Sequence, residues 1–343
     1  MNVLSLFDGI SCGMLALNQV GFHFDYYADN FYYASEIDKF AEQVSRKNFK
    51  QIIRLGNVKN HKDWDLNNID LLMGGSPCQG FSIAGKGLNF EDPRSQLFFD
   101  FLHCLEDRKP TWFLFENVMM KKTIEAEITK LLGVEPITIN SSLLTAQHRK
   151  RLYWTNIPNI TQPEDKNILL GDIILQDGLP VTYTERRTEE AKRIRKEYKK
   201  RTGKDFCPRR AKEMIPRTDE KTGCITASLS KEHLLLSDKA MKYMDRCTKD
   251  GRNHWDFQHH SDVLDGKSRA IVANFFKGVP YSVLKDWDCI RYFHPVECER
   301  LQGIPDNYTE GISKTQRYKA IGNGWTVPVI AHILSHIPSK GGK

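Results

Sequence analysis

The sequence has no apolar run that approaches the ~18 residues needed for a membrane-spanning helix. No basic segment precedes the apolar residues at its N-terminus, as a secretory leader would require. Membrane and secreted proteins are therefore not among the classes that we expect. We predict a cytoplasmic protein without membrane contact.

Closely spaced cysteines are also lacking. The eight cysteines are scattered, and no two of them form a C-x-x-C pair. A structural zinc site or a disulfide framework is therefore not expected. We predict no bound metal, and thiols that are mostly buried and reduced.

A net positive charge is confined to one segment of the chain. The 343 residues carry a formal net charge of +7, yet residues 186–217 alone contain 14 Lys and Arg against 5 Asp and Glu. That segment is net +9, so the rest of the chain is net −2. Such a segment suits contact with a phosphate backbone. Charge alone fits a solvated helix equally well, because residues 186–201 have a helical pattern.

Short apolar runs alternate with helix-compatible segments in the N-terminal part of the chain. Strands are expected at residues 3–7, 33–35, 69–73 and 112–115. Helices are expected after the first strand, at 38–48 and at 96–106. This alternation predicts an α/β fold with a parallel sheet and right-handed crossovers. The regular alternation ends near residue 172, and the tail from 320 to 337 is helix-compatible again.

Polar groups follow these strands at their carboxyl ends, where α/β sheets bind ligands. Cys78 lies in the turn Ser76-Pro77-Cys78-Gln79, and Glu116 ends a later strand. Arg149 and Arg151 come next along the chain. A thiol that can ionise, an acid and paired guanidinium groups are a set able to activate a pyrimidine ring. Taken singly, each has a plainer interpretation: a buried thiol, a helix cap or a surface charge.

The order of several short motifs resembles that of the DNA (cytosine-5)-methyltransferase family, of the prokaryotic or phage type. The motifs are Phe7-Asp8-Gly9-Ile10 with Gly13, Glu36, Ser76-Pro77-Cys78-Gln79, Glu116-Asn117-Val118, Gln147-x-Arg149-x-Arg151, Arg300 to Asp306 and Gly322-Asn323-Gly324. Each is weak evidence alone, but their joint order is specific. The first and last motifs are similar to those of the animal de novo branch.

The resemblance implies a Rossmann-like fold of S-adenosylmethionine-dependent methyltransferases, formed by residues 1–175 and 318–343. Residues 176–317 would form a smaller, β-rich target-recognition domain. The implied reaction transfers a methyl group from S-adenosylmethionine to C5 of cytosine in double-stranded DNA at a specific sequence. It would proceed through a covalent bond between Cys78 and C6 of a flipped-out base.

The resemblance also assigns roles to residues. Cys78 would be the nucleophile, Glu116 would bind N3 and the amino group, and Arg149 and Arg151 would steady the loop and the base oxygen. The S-adenosylmethionine site would be formed by Phe7, Asp8, Gly9, Ile10, Ser11, Cys12, Gly13, Glu36, Ile37, Asn57, Val58, Gly75, Pro77, Leu97, Asn323, Gly324 and Trp325. Contacts with DNA would come from Gln79, Ser82, Lys86, Arg94, Arg209, Arg210 and Arg269.

Two departures from the family pattern bear on the cofactor contacts. The glycine spacing from Phe7 to Gly13 is wider than the usual F-x-G-x-G, and Asn57 stands where the family commonly has Asp. Neither change removes a catalytic group. A monomer is expected, and a cognate restriction endonuclease acting on the same site is a partner that the resemblance allows.

Two other functions remain open at this point. A catalytically silent DNA-binding module would keep the fold, although such proteins tend to lose the nucleophile, the acid or the cofactor site. A tRNA cytosine-5 methyltransferase would carry a Cys-Phe-Thr tripeptide, which this sequence lacks.

Overall fold

The structure is a computed structural model that describes residues 1–24, 30–76, 93–173, 175, 183–206, 212–216, 234–236 and 290–338. It divides into two compact units. The first contains Met1–Ile168 and Cys298–Lys343, and the second contains Leu169–Glu297. Residues 298–317, which the sequence analysis placed in the smaller domain, thus belong to the first unit. The functional division itself stays a prediction.

Eleven strands and eight α-helices lie within the described ranges. The strands are β1 (Val3–Leu6), β2 (Tyr32–Ser35), β3 (Ile53–Arg54), β4 (Leu71–Gly74), β5 (Trp112–Val118), β6 (Ile137–Asn140), β7 (Lys150–Thr155), β8 (Tyr183–Arg187), β9 (Lys212–Pro216), β10 (Leu234–Leu236) and β11 (Ile290–Tyr292). The helices are α1 (Cys12–Gln19), α2 (Lys39–Asn48), α3 (Pro93–Arg108), α4 (Lys122–Leu132), α5 (Glu189–Thr202), α6 (Pro295–Leu301), α7 (Lys314–Asn323) and α8 (Val327–Leu334). None of these helices is long and apolar enough to cross a bilayer.

Seven strands of the first unit form one sheet in the order β3-β2-β1-β4-β5-β7-β6. Strands β1 to β5 pair in parallel, as the alternation predicts. The sheet as a whole is mixed, because β7, which the sequence analysis did not predict, runs antiparallel to both β5 and β6. Only residues 141–149 connect β6 to β7, and a parallel crossover needs about a dozen residues or more.

Both faces of this sheet are covered by helices, so its strands are apolar on both sides. On one face Val3 and Met73 pack with residues of α1 and α8, such as Met14 and Ile330. On the other face Phe115 and its neighbours pack with α3 and α4. This three-layer arrangement confirms the predicted α/β class. It leaves the carboxyl ends of β1, β2, β4 and β5 at one edge.

The second unit contains two antiparallel strand pairs, β8 with β9 and β10 with β11. Between β8 and β9 lies α5, whose helical pattern the sequence predicted. Thr188 caps its N-terminus by accepting a hydrogen bond from the N–H of Ala191, and Gly203 ends it in a left-handed conformation.

Candidate active site

The turn after β1 has an unusual backbone. Phe7, Gly9 and Ser11 have φ angles of 57°, 60° and 62°, so alternate residues are left-handed. Glycine adopts this region freely, whereas each of the other two residues costs about 1–3 kcal/mol in strain. Strain of this kind concentrates at functional sites. The turn therefore supports the predicted role of residues 7–13 in ligand binding.

Asp8 holds this turn in place through its side chain. Its Oδ1 accepts a hydrogen bond from the Tyr32 hydroxyl at 2.7 Å, and its Oδ2 accepts one from Ser11 Oγ at 2.5 Å. Burial raises the pKa of the Asp8 carboxyl, and these hydrogen bonds oppose that shift. Because both Asp8 carboxylate oxygens already accept hydrogen bonds from the protein, we expect a ligand to contact the backbone of the turn.

Glu36 connects the turn to the next strand. Its Oε2 accepts the N–H of Gly9 at 2.8 Å, while its Oε1 accepts the N–H groups of Ile37 and Asp38 at 2.7 and 2.6 Å. A carboxylate oxygen has two lone pairs, so Oε2 can still accept a ligand hydroxyl. Ile37 beside it is 74% exposed, which is unusual for a large apolar side chain. The pair therefore offers a hydroxyl acceptor next to an apolar surface.

The remaining predicted cofactor residues on this side differ in accessibility. Asn57 is exposed and caps the 3-10 helix Val58–Asp63, where its Oδ1 accepts the N–H of Lys59 at 3.1 Å. Val58 is buried in the core, and Leu97 is packed against the same core. Asn57 can meet a ligand directly, whereas Val58 and Leu97 shape the wall behind it.

The C-terminal segment closes against the turn after β1. A side chain at Gly13 would place its Cβ 2.8 Å from Met73 Cε and 2.9 Å from the Tyr32 hydroxyl. A Cβ at Gly324 would lie 3.1 Å from Cys12 Sγ. A larger residue at either position would therefore force these neighbouring side chains to shift. Burial raises the pKa of the Cys12 thiol to about 12, so this cysteine is not a nucleophile at neutral pH.

Glu116 is the central carboxylate of the site and is only 9% exposed. Its Oε2 accepts a hydrogen bond from Trp325 Nε1 at 3.1 Å, and its Oε1 lies 3.1 Å from Arg151 Nε. A Cβ at Gly75 would lie 2.9 Å from Oε2, so this carboxylate is against the end of β4. Asn117 donates to the carbonyl of Ser76 at 3.4 Å and ties the two strand ends together.

The two predicted arginines have different surroundings. Arg149 is 5% exposed and donates to the carbonyls of Gly322 and Gly324 at 3.3 and 3.1 Å. Arg151 instead faces Glu116. Arg149 therefore holds the C-terminal segment, including Asn323 between its two acceptors, and Arg151 orients the acid.

A buried polar network supports Arg149, and sequence reasoning missed it. Gln147 donates to the Leu301 carbonyl at 3.0 Å, and Gln302 donates to the Ile321 carbonyl at 3.0 Å. Thr326 donates to Gln302 Oε1 at 2.7 Å and accepts from Ser141 at 3.0 Å. Gln302 was visible in the sequence only as part of a family motif. Nothing local to Ser141 or Thr326 predicts that their hydroxyls meet.

Several predicted residues lie outside the described part of the chain. They are Pro77, Cys78, Gln79, Ser82, Lys86, Arg209, Arg210 and Arg269, and the side chain of Arg94 at the start of α3. The last described residue before Cys78 is Ser76, whose carbonyl contacts Asn117. The position of the thiol itself stays a prediction.

A basic groove lies in the second unit, on α5 and the end of β8. Five cationic side chains and one carboxylate line it: Arg187, Lys192, Arg195, Lys196, Lys199 and Asp205. Arg195 pairs with Asp205 through two hydrogen bonds of 2.7 and 2.8 Å, which hold the pKa of Asp205 below its usual value. The groove is net positive and matches the basic segment found in the sequence.

Comparison with known proteins gives a family match over nearly the whole chain. The sequence model of the C-5 cytosine-specific DNA methylase family matches residues 1–339. The type II methyltransferase M1.ScrFI of Lactococcus lactis subsp. cremoris is 29% identical over 312 residues, which cover 87% of this chain and 69% of that protein. The type II methyltransferase M.SsoII of Shigella sonnei is 26% identical over 349 residues, which cover 98% of this chain and 80% of that protein.

Solved structures resemble the same fold. A DNMT2 mutant from Spodoptera frugiperda aligns with a TM-score of 0.57 and 20% identity, over 98% of both chains. The methyltransferase EhMeth of Entamoeba histolytica aligns with a TM-score of 0.56 and 17% identity, over 98% of this chain and 97% of that one. At these identities the likeness concerns the fold alone.

Proposed function

Because this chain belongs to the C-5 cytosine-specific DNA methylase family, we propose that it methylates C5 of cytosine in double-stranded DNA at a specific sequence. The observation that carries this proposal is the Glu116 carboxylate, which is buried between Trp325 and Arg151 beside the end of β4. Cys78 follows Gly75 by three residues in the sequence. An acid and a thiol on neighbouring strand ends could therefore address one pyrimidine ring.

The proposed reaction begins at C6 of a flipped-out cytosine. The Cys78 thiolate adds to C6, and the resulting enamine has a nucleophilic C5. Glu116 in its protonated form would bind the opposite edge of the ring: its carbonyl oxygen accepts from the exocyclic amine, and its O–H donates the proton to N3. After C5 has taken the methyl group, a base removes the C5 proton. The C6–S bond then breaks, which restores the double bond and the free thiol.

S-adenosylmethionine would supply the methyl group as an electrophilic sulfonium carbon, and the neutral thioether S-adenosylhomocysteine would be the leaving group. The residues around Glu36 fit this cofactor, since a free lone pair on Glu36 Oε2 suits a ribose hydroxyl and exposed Ile37 suits an adenine ring. The strained turn from Phe7 to Ser11 offers backbone groups on the same side of the sheet. Trp325 would lie where this pocket meets the base-binding site, because its indole contacts the Glu116 carboxylate while its ring lies near Gly13.

The basic groove is the proposed contact surface for the DNA backbone. Lys192, Lys196 and Lys199 lie on one helix, and Arg187 joins them from β8. Clustered cations bind phosphates without reading sequence, so this surface would supply affinity and not specificity. The cognate restriction endonuclease, the monomeric state and the cytoplasmic location all stay predictions.

A methyl-transfer assay with duplex DNA of varied sequence and radiolabelled S-adenosylmethionine tests the proposal. We expect incorporation by the wild type, none by Cys78→Ala, and a loss of at least about 100-fold by Glu116→Gln. Glu106→Gln is the control, because Glu106 is an exposed acid on α3. DNA that contains 5-fluorocytosine should trap the wild type covalently, since fluorine cannot leave as a proton does.

Three outcomes would contradict the proposal. Normal turnover by Cys78→Ala would refute the covalent step. Tight DNA binding without any transfer would favour the silent module, and transfer to tRNA in preference to duplex DNA would favour the RNA-modifying branch. Bisulfite sequencing of DNA from cells that express the protein would report activity and the recognised site together.

A further inference from the structure

A cluster of metal-ligand side chains lies away from the site described above. His61 is in the 3-10 helix Val58–Asp63, and Asp100 and His103 are on α3. One ligand atom from each of these three residues lies within 4.8 Å of the others. Residues three apart on a helix share a face, so Asp100 and His103 point to the same side of α3. Both contribute to one cluster with His61.

The Asp100 carboxylate has one oxygen whose hydrogen-bonding capacity is unused. This atom, Oδ2, is buried and has no hydrogen-bond partner among the described residues. A buried acceptor without a partner destabilises a protein, and a charged acceptor does so more strongly. Native proteins contain few such groups, and a bound ion or an ordered water satisfies some of them. The carboxylate oxygen is thus able to take a cation in the place where two imidazoles are close by.

Each of the two histidines offers one ring nitrogen to the cluster. His61 is 4% exposed, and its ring is stacked on that of His103 with centroids 6.2 Å apart. Its Nδ1 lies 3.8 Å from Asp107 Oδ2. A small movement would let Nδ1–H donate to Asp107, and Nε2 would then be the nitrogen that faces a metal. A carboxylate behind a metal-binding histidine is a recurrent arrangement that fixes the tautomer and strengthens the ligand.

From this geometry we propose that His61, Asp100 and His103 form a binding site for a divalent transition metal of the zinc class. Two imidazole nitrogens and one carboxylate oxygen suit Zn²⁺, whereas Mg²⁺ and Ca²⁺ prefer oxygen ligands alone. Tetrahedral Zn²⁺ with bonds of about 2.0–2.2 Å needs ligand atoms about 3.4 Å apart. The three side chains reach that spacing by contracting from within 4.8 Å. Water would complete the shell.

The metal would join two segments of the first unit that already touch. Arg108 at the end of α3 donates to the carbonyls of His61 and Trp64 at 3.0 and 2.9 Å. A metal bound at His61 would fasten the 3-10 helix that follows Asn57 to the middle of α3. The role is structural, because none of the three ligands contacts Glu116 or Glu36 among the described residues. It departs from the expectation of no metal that the cysteine pattern suggested.

Untagged protein, stripped with a chelator, tests this site by zinc titration against a chromophoric competitor. We expect one zinc ion per chain, and an affinity at least about tenfold lower in His103→Ala. His103 is exposed, so its removal spares the core. Asp100→Asn is a second, nearly isosteric variant, and it should also weaken zinc binding. Circular dichroism of each metal-free variant checks that the fold is retained.

His332→Ala is the matched control. Its ring lies 5.0 Å from that of His336, so these two residues form another close histidine pair in the described chain. Zinc affinity should be unchanged in this variant. Cobalt substitution adds a second readout: a His and carboxylate site gives no thiolate-to-metal charge-transfer band. Neither readout depends on methyl transfer.

Three results would overturn the proposal. Zinc affinity that is equal in wild type, His103→Ala and Asp100→Asn would exclude these ligands. Loss of binding in His332→Ala would move the site to α8. A thiolate band in the cobalt spectrum would assign the metal to cysteines.

Discussion

Trp325 connects the C-terminal segment to the acid of the proposed reaction. Its indole N–H donates to Glu116 at 3.1 Å, and the Arg151 guanidinium lies on the other carboxylate oxygen. One hydrogen bond and one ion pair thus restrict the carboxylate before a base arrives. In the proposed reaction this restriction would lower the barrier, because the Glu116 carboxylate need not lose rotational freedom when the base binds.

Replacement of Trp325 by Phe removes the donor and keeps an aromatic ring. We expect kcat to fall at least about tenfold, since a hydrogen bond to a charged group contributes about 1.5–3 kcal/mol. Trp154→Phe is the matched control, because its indole donates at 2.9 Å to Thr129 and not to Glu116. That control should lower stability and leave kcat near the wild-type value. Equal kcat in wild type and Trp325→Phe would refute the positioning role.

Single residues also mark where sequence reasoning ended. The family resemblance assigns Trp325 to the cofactor pocket, yet its polar contact is with Glu116, which lies 209 positions earlier. Likewise the motif presents Arg149 and Arg151 as one pair, but one binds backbone carbonyls and the other an acid. Contacts between residues so distant in the chain produce no local sequence pattern from which they could be predicted. The thiol at position 78 remains a prediction from motif and chemistry.

At the scale of elements, the residue just before β7, Arg149, holds the segment between α7 and α8. Replacing Arg149 by Met would remove the buried guanidinium donor from the Gly322 carbonyl, and it would leave the Gly324 carbonyl with only the longer hydrogen bond from Gln302 at 3.4 Å. We expect the free energy of unfolding to fall by about 2 kcal/mol or more, measured by urea denaturation. Arg46→Met is the control, because Arg46 pairs with Glu42 at the surface of α2. It should cost no more than about 0.5 kcal/mol. A similar loss of unfolding free energy in both variants would contradict the role of Arg149 in holding this segment.

A second link joins α2 to α7. Asp38 caps α2 by accepting the N–H groups of Phe40 and Ala41, and it lies 2.6 Å from Lys319 Nζ on α7. Partial burial raises the pKa of Asp38, but the hydrogen bond from Lys319 and the two N–H groups outweigh it. The net pKa is below the ordinary value of 3.8.

This shift predicts a pH-dependent stability. A carboxyl whose pKa is lowered by folding stabilises the protein above its unfolded pKa, and that contribution is lost as pH falls through the folded pKa. Asp38→Asn keeps the cap and removes the charge, so it should be less stable at neutral pH by at most about 1 kcal/mol. The difference in unfolding free energy between wild type and Asp38→Asn should disappear as pH falls below 3.8. Lys319→Met should show the same difference from wild type, and the double variant should lose no further stability.

Elements were predicted best where the pattern was local. The ends of β1, β2 and β5 were predicted to within three residues, and those of α2 to within one residue. The antiparallel β7 was missed, because strand direction depends on the length of residues 141–149 and not on the apolar pattern of the strand. The cluster of His61 with His103 was missed for a similar reason, since the two residues come from separate elements.

At the scale of the whole molecule, charge is concentrated in the second unit. Reversal of Lys196 and Lys199 to Glu should weaken binding to duplex DNA of any sequence. The slope of log affinity against log salt should become shallower by about 0.9 for each phosphate that the variant no longer neutralises. Lys130→Glu on α4 is the control, because Lys130 is an exposed cation of the first unit. An unchanged slope in the double reversal would remove the groove from the DNA-binding surface.

The packing of the last helices has a consequence for biosynthesis. The Tyr308 hydroxyl donates to the Ile10 carbonyl, and α8 packs on α1, so the earliest and latest parts of the first unit share one core. A ribosome adds about 5–20 residues per second. A nascent chain therefore spends many seconds with the face of β1 and α1 uncovered, until Tyr308 and α8 have emerged. Chaperone binding to stalled nascent chains should accordingly persist until residue 334 has left the exit tunnel, and release should coincide with the first appearance of enzymatic competence.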